Sequence, residues 1–368
     1  MKKSLLALAA LTAFAGVASA QSSVTVFGVV DLSMRNVEYG DVSQSQLATD
    51  GNSSSRLGFR GVEDLGGGLR AAFHIEGSLV ADNGNAAGQT WQRRSTVSLL
   101  GGFGEFRMGR DYTPTFWSWT VFDPFGTNGV GAATNLALEV AGLAPGGSYG
   151  TLVRANNTVG YVLPAGQYGP GFYGQIQVAA GEGTLGNKTF QGRLGYKAGP
   201  IDVAASYGET QVTSSVDGKT WNLAGSYSMS FLVLSGFYGE IEVASLKQKN
   251  WYIGGQVPFG VTTIKMTYGS VERSGAAGTN VGGVGCVGGV GTATCVAQGD
   301  ATMLALGFTY DLSKRTALYG TYAGIQNNGT RFRSGQLEQG TPGNIATNAY
   351  NQLGKDSAGY EFGVRHSF

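Results

Sequence analysis

The residues best placed to act on a solute are arginines set at alternate positions of apolar stretches. In SRLGFRG, Arg56 and Arg60 alternate with Leu57 and Phe59. A period of two puts both guanidiniums on one face of a strand and both apolar side chains on the other. Arg154 stands between Val153 and Ala155 in VRANNTVGY. The acids that could oppose them, Asp123 and Glu139, lie in TFWSWTVFDPFGTNGVGAATNLALEVAGLAPGG, residues 115–147. That stretch has no period-two alternation, yet it is too apolar for a solvated linker. Guanidiniums facing carboxylates across a narrow gap would set a transverse field, which aligns dipolar solutes and discriminates ions by sign.

Other chemistry is poorly supplied. The two histidines are His74, between Phe73 and Ile75, and His366, two residues from the end. Alternation points His74 to the polar face and His366 to the apolar one. Neither sits in a nucleophile–base neighbourhood, so catalysis is not expected. Cys286 and Cys295, in GCVGGVGTATC, read as a disulfide of an exported chain. Two thiols without a nearby histidine make a poor metal site. The surrounding glycine runs lack the strand-then-helix context of a phosphate loop. No metal and no cofactor are expected.

The elements that must position these residues follow an export signal. MKKSLLALAALTAFAGVASA has two lysines, a short apolar run and a small-residue end, the pattern of a signal peptide cleaved after Ala20. The mature chain, residues 21–368, then carries 23 basic residues, the total of 25 less Lys2 and Lys3, against 24 acidic ones. That balance gives no footprint for nucleic acid. Beyond the signal no stretch of eighteen apolar residues appears, so no transmembrane helix is expected.

Alternation dominates the rest. IDVAASYGET sets Ile201, Val203, Ala205 and Tyr207 against Asp202, Ala204, Ser206 and Gly208. YEFGVRHSF sets Tyr360, Phe362, Val364, His366 and Phe368 against Glu361, Gly363, Arg365 and Ser367. Tight breaks (EDLGGGLR, LGGFGEF, KAGPID, VPFGVT, YDLSKRT) alternate with long polar ones near residues 38–52, 81–90, 274–299 and 328–356. In an up-and-down sheet this places short turns at one end and long loops at the other. Strands of roughly 10–14 residues are long for a sandwich and suit a tilted membrane span. Tyr, Trp and Phe recur near strand ends, where an interfacial belt needs them. The expected fold is all-β: a transmembrane antiparallel up-and-down β-barrel of about sixteen strands, wide enough for an aqueous channel. Strand starts are expected near residues 23, 52, 68, 90, 104, 153, 170, 187, 200, 218, 230, 246, 260, 300, 315 and 357.

With SVTVFGVVDLS, SRLGFRGVEDLGGGL, RRSTVSLLGGFGEFRMGRDYTP, VRANNTVGY and YEFGVRHSF in view, the chain resembles the trimeric general porins of Gram-negative outer membranes, in their β-proteobacterial branch. The resemblance spans the mature chain. It implies a water-filled outer-membrane channel for passive diffusion of small hydrophilic solutes and ions. It implies that the third long external loop, residues 113–152, folds inward as a constriction. The family pattern places constriction arginines at Arg56, Arg93 and Arg154. Strict parity with Val97 and Leu99 would put Arg94 inside instead of Arg93; a β-bulge, or a strand buried against a neighbouring subunit, would reconcile the two. Asp123 stands near the family's loop carboxylates, but in an Asp-Pro-Phe-Gly order that matches only in part. Three arginines against one or two acids predict a mild anion preference. Phe368 would be the terminal aromatic read by the barrel assembly machinery. The resemblance further implies a homotrimer joined through the first five strands, with SLVADNGNAAGQTW reaching a neighbour, set in outer-membrane lipid and lipopolysaccharide.

Overall fold

The computed structural model describes residues 23–84, 90–137, 153–183, 188–211, 217–243, 246–275, 299–329, 334 and 354–368. The expected signal peptide, Glu139 and the Cys286–Cys295 pair lie outside the described residues. In chain order the strands are β1 (Ser23–Tyr39), β2 (Val42–Thr49), β3 (Arg56–Gly66), β4 (Leu69–Ser78), β5 (Arg94–Gly101), β6 (Gly104–Tyr112), β7 (Arg154–Val162), β8 (Gly171–Ala179), β9 (Thr189–Ala198), β10 (Ile201–Gln211), β11 (Asp217–Ser228), β12 (Val233–Val243), β13 (Leu246–Phe259), β14 (Thr262–Ser274), β15 (Gly299–Asp311), β16 (Thr316–Asn328) and β17 (Ser357–Ser367). One helix, α1 (Pro114–Phe122), and a 3-10 turn (Ala133–Leu136) lie between β6 and β7.

The strands form one antiparallel sheet in which each strand from β3 onward pairs with its successor. β1 closes it by pairing with β17 along one edge. Along the other edge β1 pairs with β3 through Ser23–Val29 and with β2 through Leu32–Tyr39. β2 and β3 are therefore two pieces of one wall position, and the closed barrel has 16 strand positions. Residues 38–52, expected as a long polar loop, instead finish β1, turn at Gly40–Asp41 and return as β2. The polarity of VSQSQLAT hid a strand whose backbone groups are satisfied by β1, and whose Ser43 and Ser45 hydroxyls accept from the Asn36 amide at 3.1 and 2.9 Å.

The faces follow the expected parity. On β10, Ile201, Val203 and Tyr207 point outward and are exposed, while Asp202, Ala204 and Ser206 point inward and are buried. Outward side chains form an apolar band, with aromatics near both rims. Phe103, Tyr196, Tyr227, Phe259 and Tyr310 lie by the tight turns; Tyr207, Trp221, Tyr238, Trp251 and Tyr268 lie toward the other rim. The tight turn between β3 and β4 is Gly66-Gly67-Gly68, with φ of +85°, +62° and +80°. Side chains rarely adopt that conformation, so glycine is required there. Among the described residues no helix is long and apolar enough to cross a membrane; the strands cross it.

Candidate functional site: the lumen and its arginine wall

The segment after β6 packs against the inward side of the wall. Pro114 opens α1, where its missing N–H leaves no bond unmade. Pro124 stops the helix after Asp123. The helix is largely apolar, and Pro114, Thr115, Phe116, Ser118, Trp119 and Phe122 are buried. Phe116, Trp119 and Phe122 cluster with inward Tyr173, Ala204, Ala224, Phe237 and Tyr252 of β8 and β10–β13. Polar bonds set its register. Thr115 Oγ1 donates to Gln191 Oε1 at 2.6 Å, the Asn222 amide donates to Thr115 O at 3.1 Å, and Arg193 Nε donates to Ser118 Oγ at 3.1 Å. Further along, Asn250 Nδ2 donates to Leu136 O at 3.1 Å. The Val130 N–H donates to Glu361 Oε1 at 2.9 Å, and Glu361 in turn pairs with Arg35 at 2.8 Å.

On the opposite part of the wall stand the arginines. The register runs Val29–Arg56–Ser78 across β1, β3 and β4, and Thr25–Arg60–His74 four residues further along β3. Both guanidiniums thus share the inward face with His74, as alternation required. Arg56 forms no ion pair among the described residues, although the Glu76 charge acts on it. Arg60 lies 5.1 Å over the Phe27 ring. Arg94 is the register partner of Glu76, while the Arg93 N–H also donates to Glu76 O. Two residues opposite one is a bulge, and it turns both arginines to the lumen.

Arg93 Nε contacts Glu76 Oε1 at 2.5 Å, and its NH2 group donates to Tyr112 OH at 3.0 Å. Arg154, the first residue of β7, stacks on the same Tyr112 ring at 4.2 Å, donates to Tyr112 OH at 2.6 Å and to Arg93 O at 2.8 Å. Tyr112 therefore gathers two guanidiniums at the point where the wall passes into the inward segment. Sequence reasoning missed Tyr112 and Glu76. Only Glu76 carried a signal, parity: it falls two places from His74 on the polar face of β4.

Asp123 does not face these arginines. It is 3 % exposed, and its carboxylate accepts three backbone N–H groups: Phe125 at 3.0 Å, Thr127 at 3.0 Å and Ala133 at 2.9 Å. Burial pushes its carboxyl up to about 6, against those bonds and the nearby Lys265 charge, which favour ionisation. It organises the turn beyond α1 and presents no charge to a passing solute. The expected transverse field between Asp123 and the arginines is not formed. The Asp-Pro order is the reason: the proline fixes the extended backbone at Asp123 (φ −75°, ψ 122°), and the carboxylate caps the loop behind it.

A closed barrel with a polar, arginine-bearing inner wall is the geometry of a diffusion channel. Comparison with known proteins agrees. A profile of the Gram-negative porins matches residues 7–330. The chain belongs to that family. Outer membrane porin protein 32 of Delftia acidovorans is 34% identical over the whole of both chains. An outer membrane porin protein of Bordetella pertussis is 30% identical over 88% of this chain and 94% of its own. Among solved structures, the anion-selective porin from Comamonas acidovorans superposes with a TM-score of 0.76 at 30% identity, covering 95% of this chain and all of that one. A trimer form of Vibrio cholerae OmpT shares the fold alone, with a TM-score of 0.62 at 14% identity. This porin is thus an outer-membrane β-barrel channel, not an enzyme.

Proposed function

We propose that this porin prefers anions among the small hydrophilic solutes it passes, because arginines outnumber carboxylates where the wall meets its inward segment. At the mouth of the inward segment, Arg56, Arg93 and Arg154 share a single carboxylate, Glu76. Other inward acids are bonded into the wall: Asp31 to Asn52, Ser53 and Tyr319, and Glu361 to Arg35 and Val130. The surplus positive field acts across a narrow aqueous gap against low-dielectric walls, where it attracts anions. We assign the narrowing to residues 113–152. The Comamonas protein's description as anion-selective supports the same sign here. The test is a set of Arg56→Gln and Arg56→Glu channels in lipid bilayers. The chloride-to-potassium permeability ratio should fall at each step; an unchanged ratio would remove Arg56 from the account.

The same reading includes a homotrimer, formed after loss of residues 1–20. Along the outward positions of β1–β5, fixed by their register, there is no Tyr or Trp, although both aromatic belts continue over the later strands. A surface covered by protein needs no interfacial belt. Cross-linking of the folded protein in its membrane should give a three-chain species; a monomer alone would refute this. We read Phe368 as the assembly signal: it exchanges two backbone bonds of 3.1 Å with Gly28, and its ring lies over that glycine. The outer rim would then meet lipopolysaccharide.

A further inference from the structure

Below the arginines already described, toward the tight-turn rim, the lumen wall holds a recess of about 240 Å³. We propose that it is a second anion site, binding a compact oxyanion such as inorganic phosphate. Four residues per strand separate Arg60 from Arg56, which places it ~13 Å further along β3. The recess is lined by Arg60, Arg94 and Arg107, by His74, by Thr25, Thr96 and Ser98, and by one carboxylate, Glu105, which is turned to Arg107. Register explains the convergence. Thr25, Arg60, His74 and Thr96 form one transverse row across β1, β3, β4 and β5. Ser98 and Arg107 are partners in the next row, and Glu76 and Arg94 are partners in the row on the other side.

The charges nearby do not cancel within the recess. Arg107 is held by Glu105 at 2.8 Å and by Asp111 at 2.6 Å. Arg94 gives only its Nε to Thr96, at 3.2 Å, and reaches Asp111 at 3.6 Å, beyond hydrogen-bond distance. Arg60 has no carboxylate partner among the described residues and rests on the Phe27 ring face. Glu76 beside His74 is taken by Arg93. Two guanidiniums with open N–H forks, flanked by hydroxyl donors, suit an oxyanion that accepts several bonds at once. A chloride ion would use the charge but not the fork geometry. Neutral solutes would use neither.

This site is separable from the anion preference proposed above. The experiment is chloride current through single folded channels in bilayers, titrated with inorganic phosphate at constant ionic strength. Sulfate and a short dicarboxylate serve as parallel probes. We expect a saturable reduction of current by phosphate. Arg60→Gln should raise the half-blocking concentration about tenfold, the effect of losing a charge-assisted pair of bonds. Arg94→Gln should act in the same direction, and Arg60→Lys should restore only part of the affinity. Arg60 has no ion-pair partner, so its variants should fold as the parent does. Arg56→Gln should change the chloride-to-potassium ratio and leave phosphate block in place. Absence of saturation, or the same half-block in Arg60→Gln as in the parent, would overturn the site. An equal shift in Arg56→Gln would assign block to the upper arginines and overturn it as well. A reversal potential of the wrong sign alongside Arg60-dependent block would fail the selectivity reading alone.

Discussion

Replacing Asp123 with alanine separates two roles for a loop carboxylate. If Asp123 is the turn's anchor, the substitution removes the acceptor of the Phe125, Thr127 and Ala133 N–H groups. At about 1 kcal/mol net for each bond, the inward segment loses roughly 3 kcal/mol of order. The barrel, whose strands do not use this carboxylate, stays folded. Hydrogen exchange over residues 124–133 of the folded protein should rise by about two orders of magnitude, the factor that 3 kcal/mol corresponds to. The chloride-to-potassium ratio should barely change. Asp123→Asn should lie between, because one oxygen can still accept two of the three donors. A pH dependence follows as well. The folded carboxyl is pushed up to about 6 from an unfolded 3.8, so between these values the folded state binds more protons than the unfolded one. The fold around Asp123 is then most favoured below about pH 4 and less so as pH rises through 6. Exchange protection, corrected for intrinsic rates, should therefore grow on acidification in the parent and not in Asp123→Asn. Unchanged exchange in Asp123→Ala, together with a marked gain in anion preference, would refute the reasoning and return Asp123 to the lumen.

Three further outcomes follow from the packing. Tyr112→Phe keeps the ring beneath Arg154 but removes the hydroxyl that accepts from Arg93 and Arg154, so it should lower anion preference modestly, by less than Arg56→Gln, in reversal-potential measurements. Glu361→Ala leaves Arg35 buried without its carboxylate and frees the Val130 N–H; about 3–5 kcal/mol of lost stability should appear as unfolding of the barrel at lower temperature. In Gly129→Ala, whose φ is +70°, the added carbon would collide with the Glu361 carboxylate and the Gly51 carbonyl, so the loop tip must shift and single-channel current should become noisier.

Much of the architecture was legible because alternation is a direct record of which face meets lipid. Arg56, Arg60 and His74 fell inward on parity alone, and the tight turns lay where glycine and proline marked them. β2 was hidden because VSQSQLAT carries little apolar contrast; only its pairing with β1 makes it a strand. Arg93 could not be placed by parity, since a bulge resets the count and leaves no trace in residue types. Asp123 was misjudged for a different reason. A carboxylate in a polar channel and one capping its own turn look alike in sequence, and the difference lies in three backbone N–H groups that only the fold brings together. Arg107 alternates as an inward residue does, whereas Tyr112 lies beyond a register shift in β6 that its residue types do not announce.

The central claim is that the lumen is positive because its acids are bonded away while Arg56, Arg93 and Arg154 share only Glu76. The most direct measurement is the zero-current potential of the unmodified protein in a lipid bilayer across a KCl gradient at neutral pH. The account predicts the sign given by chloride permeating faster than potassium, with the magnitude declining as ionic strength screens the arginines. A potential of the opposite sign would contradict it.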